Sequence, residues 1–95
     1  MSNKEDAEKF HSDCASYKET PEFLEACKII EEACSCEKFS RSQQKVARKA
    51  FDRLNEIEKV IVWGRLTNIK TNFHLAVNLH SVVCDDIIEI MSKVG

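Results

Sequence analysis

Apolar residues recur at alternating steps of three and four along most of this chain, and this spacing restricts its fold more than any other feature. Side chains three or four residues apart share one face of an α-helix, whereas a β-strand requires strict alternation. Only two glycines and one proline occur in 95 residues, so long helices are permitted. The pattern is most complete near the C-terminus, at Phe73, Ala76, His80, Val83, Ile87, Ile90 and Val94. The sequence therefore predicts an all-α fold.

Two helices are predicted in the first forty residues. The first extends from Asn3 to about Lys18 and has one apolar face. Thr20 followed by Pro21 indicates the start of the second, because threonine caps helix N-termini and proline suits the first helical position. We expect this second helix to continue to about Lys38.

A third helix is predicted to begin at Ser40, which forms a capping-box pattern with Gln43. Its apolar seam is formed by Ala47, Ala50, Leu54, Ile57, Ile61 and Gly64. Residues 67–72 separate it from the last helix, but no glycine or proline forces a break there, so a single bent helix is the alternative. We expect one domain, residues 1–95, folded as a compact bundle of three to four helices.

The last helix carries more apolar surface than a thin bundle can cover. Beside its main seam run two further apolar stripes, one through Leu79 and one through Val77, Ile88 and Met91. A chain of this length buries a smaller share of its surface than a larger protein, and association is an ordinary remedy. The sequence therefore predicts a homo-oligomer.

Several classes of protein are disfavoured. No run of eighteen apolar residues and no secretory core are present, so we expect a cytoplasmic protein with no membrane partner. The sequence has no phosphate loop and no glycine turn that could form an oxyanion hole, which predicts a non-catalytic protein without a cofactor.

The five cysteines and three histidines lack the paired spacing of a zinc site. We interpret Cys14, Cys27, Cys34 and Cys84 as small apolar residues on helix faces, and His80 as a buried structural histidine. No metal ligand is assigned, although a metal-binding helical bundle stays open as an alternative.

Charge is segregated along the chain. Residues 1–40 hold five basic and ten acidic groups, whereas residues 41–70 hold eight basic and three acidic groups. Arg41, Lys45, Arg48 and Arg53 lie along one side of the third helix and form a predicted interaction face for an anionic partner. The alternatives are a solvated helix face or packing against the acidic first helices. Duplex nucleic acid is not expected, because the protein is acidic and the basic patch is short.

The segment of about fifteen residues around Trp63 has a recognisable pattern. The residues that carry it are Ile57, Glu58, Trp63, Gly64 and Ile69. This pattern resembles the helical-hairpin signature of phage proteins that sequester the cyclic oligonucleotide signals of bacterial CBASS immunity. Leu66 and Thr67 stand where that family has alanine, and Ile69 is one place late.

The resemblance implies a compact helical oligomer in the cytoplasm of a bacterial host, with cyclic nucleotides held between subunits by aromatic and basic side chains. The chemistry of the side chains adds four candidate ligand-binding residues. Tyr17 would stack on a base, Lys18 and Arg65 would pair with phosphates, and Asn68 would contact base or ribose. A small helical inhibitor or adaptor that docks one protein partner is the alternative function.

Overall fold

The chain forms a helical bundle, seen here in a computed structural model that describes residues 3–67 and 73–94. Within these residues there is no β-strand, which confirms the all-α prediction. The described residues form five helices rather than the three or four predicted. They are α1 (Asn3–Ala15), α2 (Pro21–Cys34), α3 (Arg41–Asp52), α4 (Glu56–Leu66) and α5 (Phe73–Val94).

The predicted starts of α2 and α3 are confirmed. The side chain of Thr20 accepts a hydrogen bond of 3.1 Å from the amide of Phe23, and Pro21 occupies the first turn of α2. At α3, the amide of Ser40 donates to the side chain of Gln43 at 2.9 Å, and the Ser40 hydroxyl accepts from the Gln43 amide at 3.3 Å. Both caps satisfy amides that have no partner within the helix.

The prediction of one continuous third helix is wrong, because the chain breaks between α3 and α4. The amide of Leu54 closes a tight last turn on the carbonyl of Phe51 at 3.1 Å. Asn55 then begins a new helix, since its side chain accepts from the amide of Glu58 at 2.9 Å while Glu58 accepts from the Asn55 amide at 3.0 Å. Asparagine favours this capping position over a helix interior.

The core is centred on α2, which contacts α3 most extensively. The inner face of α2 is buried at Phe23, Cys27, Ile30 and Cys34, which confirms the interpretation of the two cysteines as apolar residues on a helix face. From the predicted seam, Ala47 and Ala50 are buried, but Gly64 is exposed and no atom lies near the position of an added Cβ. Gly64 is therefore not a point of close helix approach.

Most of the predicted seam of α5 is confirmed as buried, at Ala76, Val83, Ile87 and Ile90. Leu75 and Leu79 beside it are also buried, whereas Phe73 is 64% exposed and His80 is exposed. The prediction of a buried His80 is therefore wrong. A side chain of α5 also ties it to the end of α2, because the Asn78 side-chain amide donates to the carbonyls of Cys34, the last residue of α2, and of Cys36 just beyond it.

No helix within residues 3–67 and 73–94 has both the length and the apolar character that crossing a bilayer requires.

Candidate functional site

A groove of about 660 Å³ lies between α3 and α5 and opens to solvent. Basic residues of α3 form one wall, and Ser81 and Val82 of α5 contribute the other. Helical geometry places four cationic side chains on one side of α3, at positions 41, 45, 48 and 49. The full lining is Arg41, Gln44, Lys45, Arg48, Lys49, Asp52, Ser81 and Val82.

Arg48 is the fixed element of this groove. Its guanidinium donates two hydrogen bonds of 2.8 Å to the carboxylate of Asp86 and one of 3.3 Å to the carbonyl of Val82. A second carboxylate, Asp52, lies 3.1 Å away. These hydrogen bonds with Asp86 raise the pKa of Arg48 and hold the pKa of the Asp86 carboxyl below its ordinary value. Arg48 therefore links α3 to α5 instead of projecting freely toward a ligand.

The other three cations of the groove are uncommitted. Arg41, Lys45 and Lys49 are exposed and form no ion pair with the described part of the chain. Although α2 is acidic and packs on α3, no ion pair joins these two helices among the described residues. Packing against the acidic helices therefore does not neutralise the positive charge of α3.

The predicted basic face is divided. Arg53, which was expected beside Arg41, Lys45 and Arg48, is the C-cap residue of α3 and lines a different cavity of about 300 Å³. That cavity also includes three glutamates, Glu22, Glu25 and Glu58. Its acidic lining does not suit an anionic ligand.

Two of the predicted ligand-binding residues meet at a different place, around the ring of Phe23. Tyr17 contacts this ring edge-on at 5.2 Å between centroids, and the Arg65 guanidinium lies 5.7 Å from the ring centroid. Tyr17 donates a hydrogen bond to Glu58, and Arg65 forms an ion pair with Glu19. Burial, together with the hydrogen bond to Glu58, raises the pKa of Tyr17. Both side chains are thus engaged by carboxylates of the same chain.

The remaining predicted ligand-binding residues do not join this cluster into a site. Lys18 is exposed and has no ion pair within the described residues. Asn68 lies outside the described residues. Tyr17, Lys18 and Arg65 do not line the α3–α5 groove, so the predicted stacking residue and the basic face belong to separate regions.

Sequence reasoning missed two residues that shape the groove. Asp86 was not among the predicted site residues, but it is half-buried and holds Arg48. Asn78 donates hydrogen bonds of 2.8 Å to the carbonyls of both Cys34 and Cys36, which fixes α5 against the end of α2. Both partnerships span more than thirty residues, and no local spacing signals them.

The cysteines are free thiols in contrasting surroundings. Cys27 and Cys34 are buried, Cys14 and Cys84 are half-buried, and Cys36 is exposed. Burial raises the pKa of Cys34 to about 12. Within the described residues, no three side chains among histidine, cysteine, aspartate and glutamate are placed to hold a metal ion.

Two residues of the pattern around Trp63 can be placed in the structure. Glu58 completes the cap of α4, and Trp63 is half-buried with an indole N–H that has no hydrogen-bond partner in the described chain. Comparison of the chain with protein-family models, curated proteins and solved structures gives no match.

Proposed function

We propose that this chain is a non-catalytic binding protein that holds a small anionic ligand in the α3–α5 groove. The observation that carries the proposal is a set of three exposed cations along one wall of that groove, Arg41, Lys45 and Lys49, which form no ion pair with residues 3–67 or 73–94. The groove volume of about 660 Å³ falls within the range of small-molecule sites. No acidic residue occupies the first turn of α3, so the positive end of its dipole adds to the field at Arg41.

The most specific ligand class is a cyclic oligonucleotide, and the resemblance around Trp63 supports this choice. On this proposal the protein is a phage-type sponge that withdraws an immune signal from the bacterial cytoplasm. No aromatic ring lines the groove, so phosphates rather than stacked bases provide most of the affinity. Gln44 and Ser81 offer neutral polar groups for ribose or base contacts. Cyclic trinucleotides therefore bind more tightly than cyclic dinucleotides.

Calorimetric titration of the full chain with cyclic di- and trinucleotides tests this function. Lys45→Glu removes a groove cation and introduces repulsion, so it weakens binding by about tenfold or more. Lys28→Glu is the matched control, because Lys28 is also an exposed helical lysine but does not line the groove. The control has the same net charge as Lys45→Glu and changes the affinity by less than about threefold.

Two results would overturn the proposal. If neither ligand class released heat or raised the melting temperature at millimolar concentration, the cyclic-nucleotide assignment would be wrong. Equal weakening by Lys45→Glu and Lys28→Glu would mean that net charge, and not the groove, governs binding.

A second candidate function is docking of an acidic protein partner on α3. The observation that favours it is an apolar cavity of about 540 Å³ that includes Ile29, Ala33 and Val46, with Val46 48% exposed. Apolar and basic surfaces side by side on one helix are typical of protein interfaces. Val46→Asn, which adds no charge beside the groove, would weaken docking of a protein but leave cyclic-nucleotide affinity unchanged, which separates the two functions.

A further inference from the structure

A stripe that is apolar except for His80, and exposed except for the half-buried Cys84, lies along α5. It consists of Phe73, Val77, His80, Cys84, Ile88 and Met91, which follow one another at steps of three and four. Phe73 and Ile88 are each 64% exposed, Val77 is 48% exposed and Met91 is 37% exposed. No lysine, arginine or carboxylate interrupts the stripe. Exposed apolar surface of this length along one helix is typical of a helix–helix interface.

We infer that this stripe pairs with the same stripe of a second copy of the chain, with the two α5 helices antiparallel. The distribution of charge along α5 favours the antiparallel direction, and the self-complementary shape of the stripe favours a second copy as the occupant. Residues 73–83 contain no acidic side chain, whereas residues 84–93 contain Asp85, Glu89 and the Arg48-bound Asp86, with Lys93 as the one basic residue of that range. Parallel pairing would place these acidic halves together, but antiparallel pairing places each beside the uncharged half of the other copy.

The antiparallel register is self-complementary in shape. Pairing about the centre of the stripe sets Val77 opposite Ile88 of the second copy, and Phe73 opposite its Met91. A cavity of about 280 Å³ beside Val77, lined also by Thr67, Ala76 and His80, receives the exposed Ile88 side chain. Twofold symmetry makes this knob-into-hole contact twice in each dimer.

The expected dimer is reversible. A helix of 22 residues is about 33 Å long, and one stripe along it offers less than the roughly 800 Å² per partner of a standard stable interface. We therefore expect a weak dimer that dissociates on dilution. The pairing does not depend on the proposed anionic ligand, so each proposal can fail without the other.

Sedimentation velocity of the full chain under reducing conditions, from about 5 µM to about 500 µM, tests the interface. The wild type shifts from monomer to dimer across this range. Ile88→Glu stays monomeric, whereas Leu24→Glu dimerises like the wild type, because Leu24 is a comparably exposed apolar residue on α2 outside the stripe. Circular dichroism establishes that both variants are folded. A wild type that stays monomeric at every concentration, or a folded Ile88→Glu chain that still dimerises, would overturn the inference.

Disulfide trapping tests the direction of pairing. In a background in which the accessible Cys14, Cys36 and Cys84 are replaced by serine, Val77→Cys and Ile88→Cys chains are oxidised separately and as an equal mixture. The antiparallel register places position 77 beside position 88 of the second copy. Position 77 of the second copy is then about 16 Å away along the helix, too far for a disulfide. A cross-linked dimer therefore forms only in the mixture. Cross-linking of each variant alone, without enrichment in the mixture, would overturn the antiparallel arrangement.

Discussion

Among single residues, Arg48 has the best-defined energetic role, because it joins two helices that are distant in the sequence. Its two hydrogen bonds to Asp86 are bidentate, which is the strongest arrangement for an arginine and a carboxylate. The Arg48 side chain is 40% exposed, so solvent weakens the electrostatic part of this interaction.

We expect Asp86→Asn to lower the free energy of unfolding at pH 7 by about 1 kcal/mol. The hydrogen bonds from Arg48 hold the folded pKa of Asp86 below the unfolded value of about 3.8. The stabilisation is therefore complete above this pH and is lost as the pH falls through the lower, folded pKa. Urea denaturation should show the difference between wild type and Asp86→Asn shrinking below about pH 4. A difference that persisted unchanged to the lowest pH would contradict this account of the pair.

The thiols provide a second prediction for single residues. At pH 8, Ellman's reagent should modify Cys36 rapidly and Cys34 only after unfolding, because Cys34 is buried and its pKa is raised to about 12. Since the folded pKa of Cys34 lies above its unfolded value of about 9, its burial also favours folding below pH 9 and loses this effect as the pH rises toward 12. A Cys36→Ser chain is the control. Rapid modification of Cys27 or Cys34 in that folded chain would contradict their burial.

The sequence predicted the basic residues of α3 but not what each of them does. Helical spacing places Arg41, Lys45 and Arg48 on one side, and the structure agrees. Arg48 differs from the free cations because it pairs with Asp86, which lies 38 residues further along the sequence. A pattern confined to one helix contains no information about such a partner.

At the scale of elements, the break between α3 and α4 depends on Asn55. We expect Asn55→Ala to lower the free energy of unfolding by about 1 kcal/mol, because it removes the acceptor for the Glu58 amide. Asn55→Asp keeps an acceptor at this position and should retain nearly wild-type stability. Thermal denaturation of the three proteins measures the effect. Equal stability of wild type and Asn55→Ala would show that the cap does not contribute.

Helix starts with strong side-chain caps were predictable, whereas breaks and buried faces were less so. Thr20 and Ser40 follow a change from polar to periodic sequence, which makes their capping role evident. The apolar spacing continues across Asn55, so the cap there is hidden. On α5 several apolar stripes are available, and packing against α2 and α4 buries the one that includes Leu79 together with most of the predicted seam, but leaves His80 exposed.

At the scale of the whole molecule, the main feature is that three sides of α5 have different surroundings. The bundle measures 45 × 26 × 25 Å, and one face of α5 packs into it. A second side of the helix borders the basic groove at Ser81, and a third carries the exposed stripe with Ile88. The sequence predicted an incompletely covered last helix, but the position of the groove required the tertiary arrangement of α3 and α5.

The same arrangement explains why only part of the candidate site was predictable. The charge segregation of the sequence places a positive helix beside acidic ones, and simple neutralisation was a reasonable alternative. In the structure, the ion pairs of the described residues leave Arg41, Lys45 and Lys49 free. Tyr17 and Arg65 were chosen by their chemistry, and their glutamate partners could not be identified without the fold.

The most direct test of the central claim is to locate the bound ligand by amide chemical-shift mapping. Titration of the isotope-labelled chain with a cyclic trinucleotide should move the amide signals of residues 41–49 and of Ser81 and Val82, with saturation at a single stoichiometry. Binding at the α3–α5 groove predicts this pattern. The largest shifts at Tyr17 and Arg65, or no shifts at millimolar ligand, would contradict it.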